Sequence, residues 1–180
     1  MSYLYNGFGE SPRTTSPELR MLSEEWSKMG RQASPIALSL ASLASMLHAL
    51  YLLHQSAHWQ TRGPTYYADH LMFQRLYKNI DKEIDSLGER AVNLGGPMLV
   101  CPITTAELAT PLLAGWGKGH GLDAPEKLVS MSLRAERSVL DALGVAMTQT
   151  ASDGVQNLLQ GIADAHEGNL YLLDQRLRAR

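Results

Sequence analysis

The chain has 180 residues, 44 % of them hydrophobic, which suits one domain with a sizeable core and leaves little for a second. A formal charge of −2 and an isoelectric point near 6.3 supply no global attraction for nucleic acid or an anionic membrane. The single cysteine, Cys101, excludes an internal disulfide and any CxxC motif and fits a reducing compartment, so the expected location is cytoplasmic.

No basic-then-apolar leader pattern opens the chain, and no apolar run is expected to approach the roughly 20 residues that span a bilayer. Residues 1–16, rich in Ser, Gly, Pro and Thr, are expected to form a flexible arm, and residues 17–180 a single domain. Ser16-Pro17-Glu18 places a cap, a first-turn proline and a first-turn acid in order, predicting a short helix to about Met29 that Gly30 closes. Ser34-Pro35 repeats the signal and opens a long helix to about Thr61. Its stripe of Leu40, Leu43, Leu47, Leu50, His54 and Ala57 follows the 3, 4 spacing of a buried face.

Arg62-Gly63-Pro64 breaks this helix. The next runs from about Thr65 to Leu94, closed by Gly95-Gly96-Pro97, so the two form an antiparallel hairpin. At 100° per residue Phe73, Leu76, Tyr77, Ile80, Ile84 and Leu87 share the core face, while His70, Gln74, Asp81, Asp85 and Glu89 flank it. Arg75, Asn79, Lys82, Glu83 and Arg90 lie farther round.

A connector of about 25 residues follows, long enough to carry its own short helix near 104–114 before the glycine-rich run from Gly115 to Gly121. Asp123-Ala124-Pro125-Glu126 caps a third long helix to about Gln149. Ser152-Asp153 starts a fourth to about Arg178, with Val155, Leu158, Leu159, Ile162, His166, Leu173 and Leu177 as its stripe. Almost nothing has period two. The fold class is therefore all-α: four long helices with one long crossover between the second and third, the pattern of a ferritin-like bundle.

His58 and His70 bracket the corner of the hairpin, five residues before Gly63 and seven after it, so their imidazoles can stand at similar heights. Asp85 and Glu89 lie far along the same helix: Asp85 is roughly 22 Å from His70 at 1.5 Å per residue. One chain cannot bring these groups to one ion. A second copy packed across a two-fold axis can, because such an interface pairs position i with j and j with i. The plainer reading of Asp85 and Glu89 is a solvated acidic face. For His48, His54 and His166 it is hydrogen-bonded packing.

The stretch His58-Trp59, Gly63, His70, Asp85, Glu89-Arg90 and Leu94-Gly95-Gly96 resembles the Dps mini-ferritins in residues and spacing. Ala165-His166-Glu167 followed by Leu170-Tyr171-Leu172 agrees less sharply, and the likeness covers roughly residues 16–178. In such proteins a dodecamer built from two-fold dimers encloses a cavity, ferrous iron is oxidised between two-fold-related subunits, often by hydrogen peroxide, and ferric mineral is stored inside. The resemblance implies iron ligands His58 and His70 from one subunit and Asp85 and Glu89 from its partner. It also implies a packing or electron-intercepting role for Trp59. Where the family usually has an acid one turn after the second histidine, this chain has Gln74, a weaker iron ligand. Asp81 and His54 are further positions able to compensate. Imidazole and oxygen ligands also accept zinc and other divalent metals, so the resemblance, not the donor set, selects iron.

Members that bind DNA use lysine-rich arms, because each phosphate contact needs a positive charge. Here residues 1–16 carry only Arg13 against Glu10, and the far end carries Arg176, Arg178 and Arg180 against Asp174. Weak or no DNA binding is expected. Two alternatives stand beside the ferroxidase: a metal-sequestering or structural cage whose oxidation Gln74 impairs, and a DNA-compacting protein.

Overall fold

The computed structural model describes residues 33–117, 124–150 and 152–178. The expected arm and the short helix over 17–29 lie outside the described residues, as does Asp123. Among the described residues there are five α-helices and one 3-10 turn and no strand: α1 Pro35–Gln60, α2 Tyr66–Gly95, the turn Pro97–Val100, α3 Pro102–Trp116, α4 Pro125–Met147 and α5 Asp153–Arg178. The all-α expectation and the four long helices with a helical crossover are what the chain adopts.

Local chemistry sets each boundary. The hydroxyl of Ser34 accepts from the Ala37 amide at 3.3 Å and Pro35 occupies the first turn of α1, as the cap pattern requires. At the corner Gly63 takes φ 80°, a left-handed conformation that side chains resist, and the Tyr66 amide donates to its carbonyl at 3.0 Å. Gly95 at the end of α2 has no room for a side chain: a Cβ there would lie 2.9 Å from the Cβ of Ala37 and closer still to Leu99. The end of α2 therefore approaches the start of α1 nearly backbone to side chain. Arg134 on α4 donates to the Trp116 carbonyl at 2.9 Å, capping the end of α3.

α1 contains no Asp, Glu, Lys or Arg, and its 26 residues are long and apolar enough to cross a membrane by length and composition. This corrects the expectation that no such run exists. Its physical meaning lies in the packing: Leu40, Leu43, Leu47, Leu50 and Ala57 are at most 2 % exposed. A helix apolar on most faces is one that neighbours surround, and α1 packs against α2, α3 and α4. At one end of the bundle Ala57, Phe73, Leu76, Leu128, Val129, Leu133 and Leu173 form a single apolar cluster. Burial of this kind contributes about 25 cal/mol per Å² of apolar surface.

The hairpin is held to α5 by an ion pair. Asp69, buried in the first turn of α2, accepts from Arg176 through Oδ1 at 2.6 Å and Oδ2 at 3.0 Å, and from the Thr65 hydroxyl at 2.7 Å. The fork geometry of arginine suits this two-point contact. It fastens the residue just before His70.

Candidate metal centre

At the α1–α2 corner the rings of His58 and His70 stack with centroids 3.7 Å apart and planes 25° apart. Each ring bonds to the other's backbone: His58 Nδ1 donates to the His70 carbonyl at 2.8 Å, and His70 Nδ1 donates to the His58 carbonyl at 3.1 Å. A carbonyl oxygen only accepts, so each Nδ1 carries the hydrogen and each neutral ring keeps its lone pair on Nε2. This is the usual state of a metal-ligating histidine, whose second nitrogen is held by an outer partner. Thr61 also donates to the His58 carbonyl, at 2.9 Å, and Tyr77 meets the His58 ring edge-on at 5.4 Å.

Around this pair lies an apolar surface facing outward. Trp59 is 70 % exposed, Tyr67 71 %, Tyr66 46 % and Leu71 42 %. Three aromatic rings and a leucine are thus left in solvent beside the pair. Asp85 and Glu89 are exposed on α2, where they line a groove of about 680 Å³ with His48, Gly88 and Val92. His58 and His70 are thus brought together within the chain, while Asp85 and Glu89 stand apart from them. Gln74 is half-buried and Asp81 exposed.

His54 behaves differently from His58, one turn away. It is fully buried, with Nε2 3.6 Å from Oε1 of Glu136. Glu136 is itself fully buried; its Oε2 pairs closely with Nδ1 of His166, and its Oε1 accepts from Asn169 at 3.1 Å. Glu83 closes the chain of contacts, 3.1 Å from Nε2 of His166. Burial alone would lower the His166 pKa, but hydrogen bonds to Glu136 and Glu83 and their charges overcome this and hold it up at about 9. Burial pushes the Glu136 carboxyl upward against the pull of His166. For His54 burial, reinforced by the charge on His166, lowers the pKa to about 3, so this ring is neutral.

Glu83 was expected farther round α2 from the core face, and instead it turns inward at 14 % exposure to reach His166. Its angular position borders the core arc, where a long side chain can face either way. Glu136 was absent from the sequence reading. Its signal was nonetheless present: it falls on the stripe Val129, Leu133, Glu136, Val139, Leu143 of α4, all of them buried. An acid on such a stripe needs a buried partner.

A family model described as a ferritin-like domain matches residues 38–179. The DNA protection during starvation protein of Brevibacillus brevis is 31 % identical over 129 residues, covering 69 % of this chain and 83 % of that protein. The nutrient stress-induced DNA-binding protein of a Nostoc species is 26 % identical over 121 residues, covering 67 % of this chain and 64 % of its relative. The chain thus spans slightly less than two thirds of the Nostoc protein's own length. Among solved structures, Dps92 from Deinococcus radiodurans superposes with a TM-score of 0.70 at 21 % identity, covering 81 % of this chain and 87 % of that one. On these likenesses, together with its helical bundle, the chain belongs to the ferritin-like domain family and, within it, to the Dps mini-ferritins.

Proposed function

We propose that this chain is a subunit of an iron-oxidising, iron-storing cage. Ferrous iron binds where His58 and His70 of one subunit meet the partner subunit's Asp85 and Glu89, is oxidised by hydrogen peroxide or dioxygen, and collects as ferric mineral inside a dodecameric shell. Membership of the ferritin-like family supports iron handling in general. The observation that carries the specific reading is the stacked pair itself: both Nδ1 atoms are committed to backbone carbonyls and both Nε2 lone pairs are left for a metal. The exposed ring of Trp59, Tyr66, Tyr67 and Leu71 around it supplies a surface for a second copy.

In this reading the histidines hold the ferrous ion as neutral donors, and the two carboxylates bring negative charge that favours the ferric state. Each of two ferrous ions gives up one electron. The peroxide accepts both, its O–O bond breaks, and two protons complete two waters. Consumption of peroxide in this way protects against oxidative stress. Trp59 packs at the two-fold interface and intercepts stray oxidising equivalents. Zinc competes for the same donors. Arg176 and Arg178 are engaged with Asp69 and Asp174, which leaves little charge for phosphate and fits weak or no DNA binding by a cytoplasmic cage.

Ferrous iron and peroxide, added to metal-free protein, test the site. The Asp85→Ala/Glu89→Ala variant is expected to oxidise iron no faster than a protein-free control, and a rate equal to the parent's overturns the assignment. Gln74 favours one second reading, a cage that sequesters metal with slow oxidation, because an amide supplies no charge at the position one turn after His70. Restoring a carboxylate with Gln74→Glu is expected to raise the oxidation rate on the order of 10-fold, the scale on which groups around a metal act. No change would leave Gln74 outside the site.

A further inference from the structure

One face of α2 carries its polar side chains in an order that the chain by itself does not explain. At 100° per residue His70, Gln74, Lys78, Asp81, Asp85 and Glu89 share an arc about 100° wide, with Arg75 and Lys82 beyond its edge. Along the axis the imidazole, the amide and the ammonium come first, and three acids follow. Lys78, Asp81, Asp85 and Glu89 are exposed, and among the described residues none of them forms an ion pair. The acids stand four residues apart, where like charges repel and opposite charges would have helped the helix. The face is segregated end from end instead of mixed.

The same face is apolar at one end and hollow at the other. Tyr67 and Leu71, near its start, are 71 % and 42 % exposed. Gly88 and Val92, near its far end, line the groove of about 680 Å³ together with Ala41 and Ala44. Nothing within the chain requires a glycine at 88. Its backbone is helical, and a Cβ there would meet only Val100 at 3.9 Å, an ordinary contact. Glycine weakens the interior of a helix, so the hollow is kept at a cost to the subunit.

One operation answers both features. Turning a second α2 end for end, about a two-fold axis between Asn79 and Ile80, sets Lys78 opposite the partner's Asp81. It sets Gln74 opposite the partner's Asp85 and His70 opposite the partner's Glu89. The same register carries Leu71 to the partner's Gly88 and Tyr67 to the partner's Val92. We propose that this face of α2 is a seam on which a second copy of the chain packs antiparallel, with Lys78 paired to the partner's Asp81 and Leu71 seated in the groove at the partner's Gly88. Each contact occurs twice across the axis. Exposed ion pairs add little affinity but select register and partner, and the leucine on the glycine supplies the apolar fit. A slide of one turn would take Leu71 off the glycine and His70 off the partner's Glu89. The seam deepens the reading given above and rests on its two-fold subunits.

Charge reversals on separate chains provide the test. Lys78→Glu and Asp81→Lys are each expected to weaken self-association on the order of 10-fold, because each sets like charges face to face twice. Analytical ultracentrifugation across a dilution series reads this. Mixed in equal amounts, the two variants should associate about as tightly as the parent, since each reversal then meets its opposite on the other chain. Repulsion confined to one helix, or a folding defect, is not cured by mixing. Gly88→Leu, which favours the helix, should keep the helical circular dichroism and weaken association more than either reversal. Single variants that associate like the parent, a mixture no tighter than its components, or a Gly88→Leu protein that associates normally overturns the proposal. The iron reading fails separately. If the mixture reassembles while Asp85→Ala/Glu89→Ala protein oxidises iron at the parent's rate, the seam stands and the iron site falls. If the reversals leave association unchanged while loss of those acids stops oxidation, the iron site stands and the seam falls.

Discussion

The corner of the hairpin and the centre of the bundle each gather histidines from neighbouring helices, and they solve opposite problems. At the corner the two rings settle their Nδ1 atoms on each other's backbone and turn toward a surface on which Trp59 is 70 % exposed. At the centre, His54, Glu136 and His166 are 0 % exposed, and the charges of Glu136 and His166 are met by each other. The corner leaves both Nε2 atoms uncommitted beside an exposed apolar surface. The centre is closed within one chain. Histidine count therefore says little about role; what each ring's second nitrogen meets says much more.

The largest effect is expected at the centre. Glu136→Ala strips His166 and Asn169 of their shared acceptor and leaves an imidazolium buried among helices, a loss of about 3–5 kcal/mol. Urea denaturation would measure it. A loss under about 1 kcal/mol would mean the network relaxes, and the contrast with the corner would fail.

Next in size is a pH effect on the metal-free protein. The folded-state pKa of His166, about 9, lies above the ordinary value of 6.5, because Glu136 and Glu83 face the ring while Asn169 and His54 adjoin them. The folded state thus binds the proton more tightly than the unfolded chain. Its contribution to stability is fully present below pH 6.5 and disappears as pH rises through about 9. Denaturation midpoints followed from pH 6.5 to 9.5 should fall, and Glu136→Gln should flatten that limb. A parallel fall in both proteins would place the effect elsewhere.

The smallest effect belongs to the corner. Trp59→Ala removes a side chain that touches mostly solvent within one chain, so the stability of the isolated bundle should change by no more than about 0.5 kcal/mol. Assembly, read by analytical ultracentrifugation at falling concentration, should weaken. If assembly persists unchanged, Trp59 lies outside the interface.

These contrasts also explain what could be read from residues alone. Ser34-Pro35, Gly63, Gly95-Gly96-Pro97 and Pro125 bound the helices because capping, left-handed glycine and the missing proline amide act within a few residues. The His58–His70 pair was legible for the same reason, since a five-residue corner fixes both heights. The centre was not. Glu136 meets His166, 30 residues away, and Glu83 meets it across 83. Periodicity tells which face a residue occupies and is silent on what stands opposite. Asp69 illustrates the same limit: a first-turn acid ordinarily serves the helix dipole, and only the folded chain brings Arg176 to it. The apolar composition of α1, equally suited to lipid or to a protein core, is decided by the neighbours that surround it.

The reciprocal bonds at the corner carry one more consequence. In an imidazolium both nitrogens bear hydrogen, so a proton arriving on Nε2 of His58 or His70 leaves the Nδ1 hydrogen and its bond to the opposite carbonyl in place. The turn is therefore latched by bonds in which the outward nitrogens take no part, and the pair is shaped in advance of whatever those nitrogens meet.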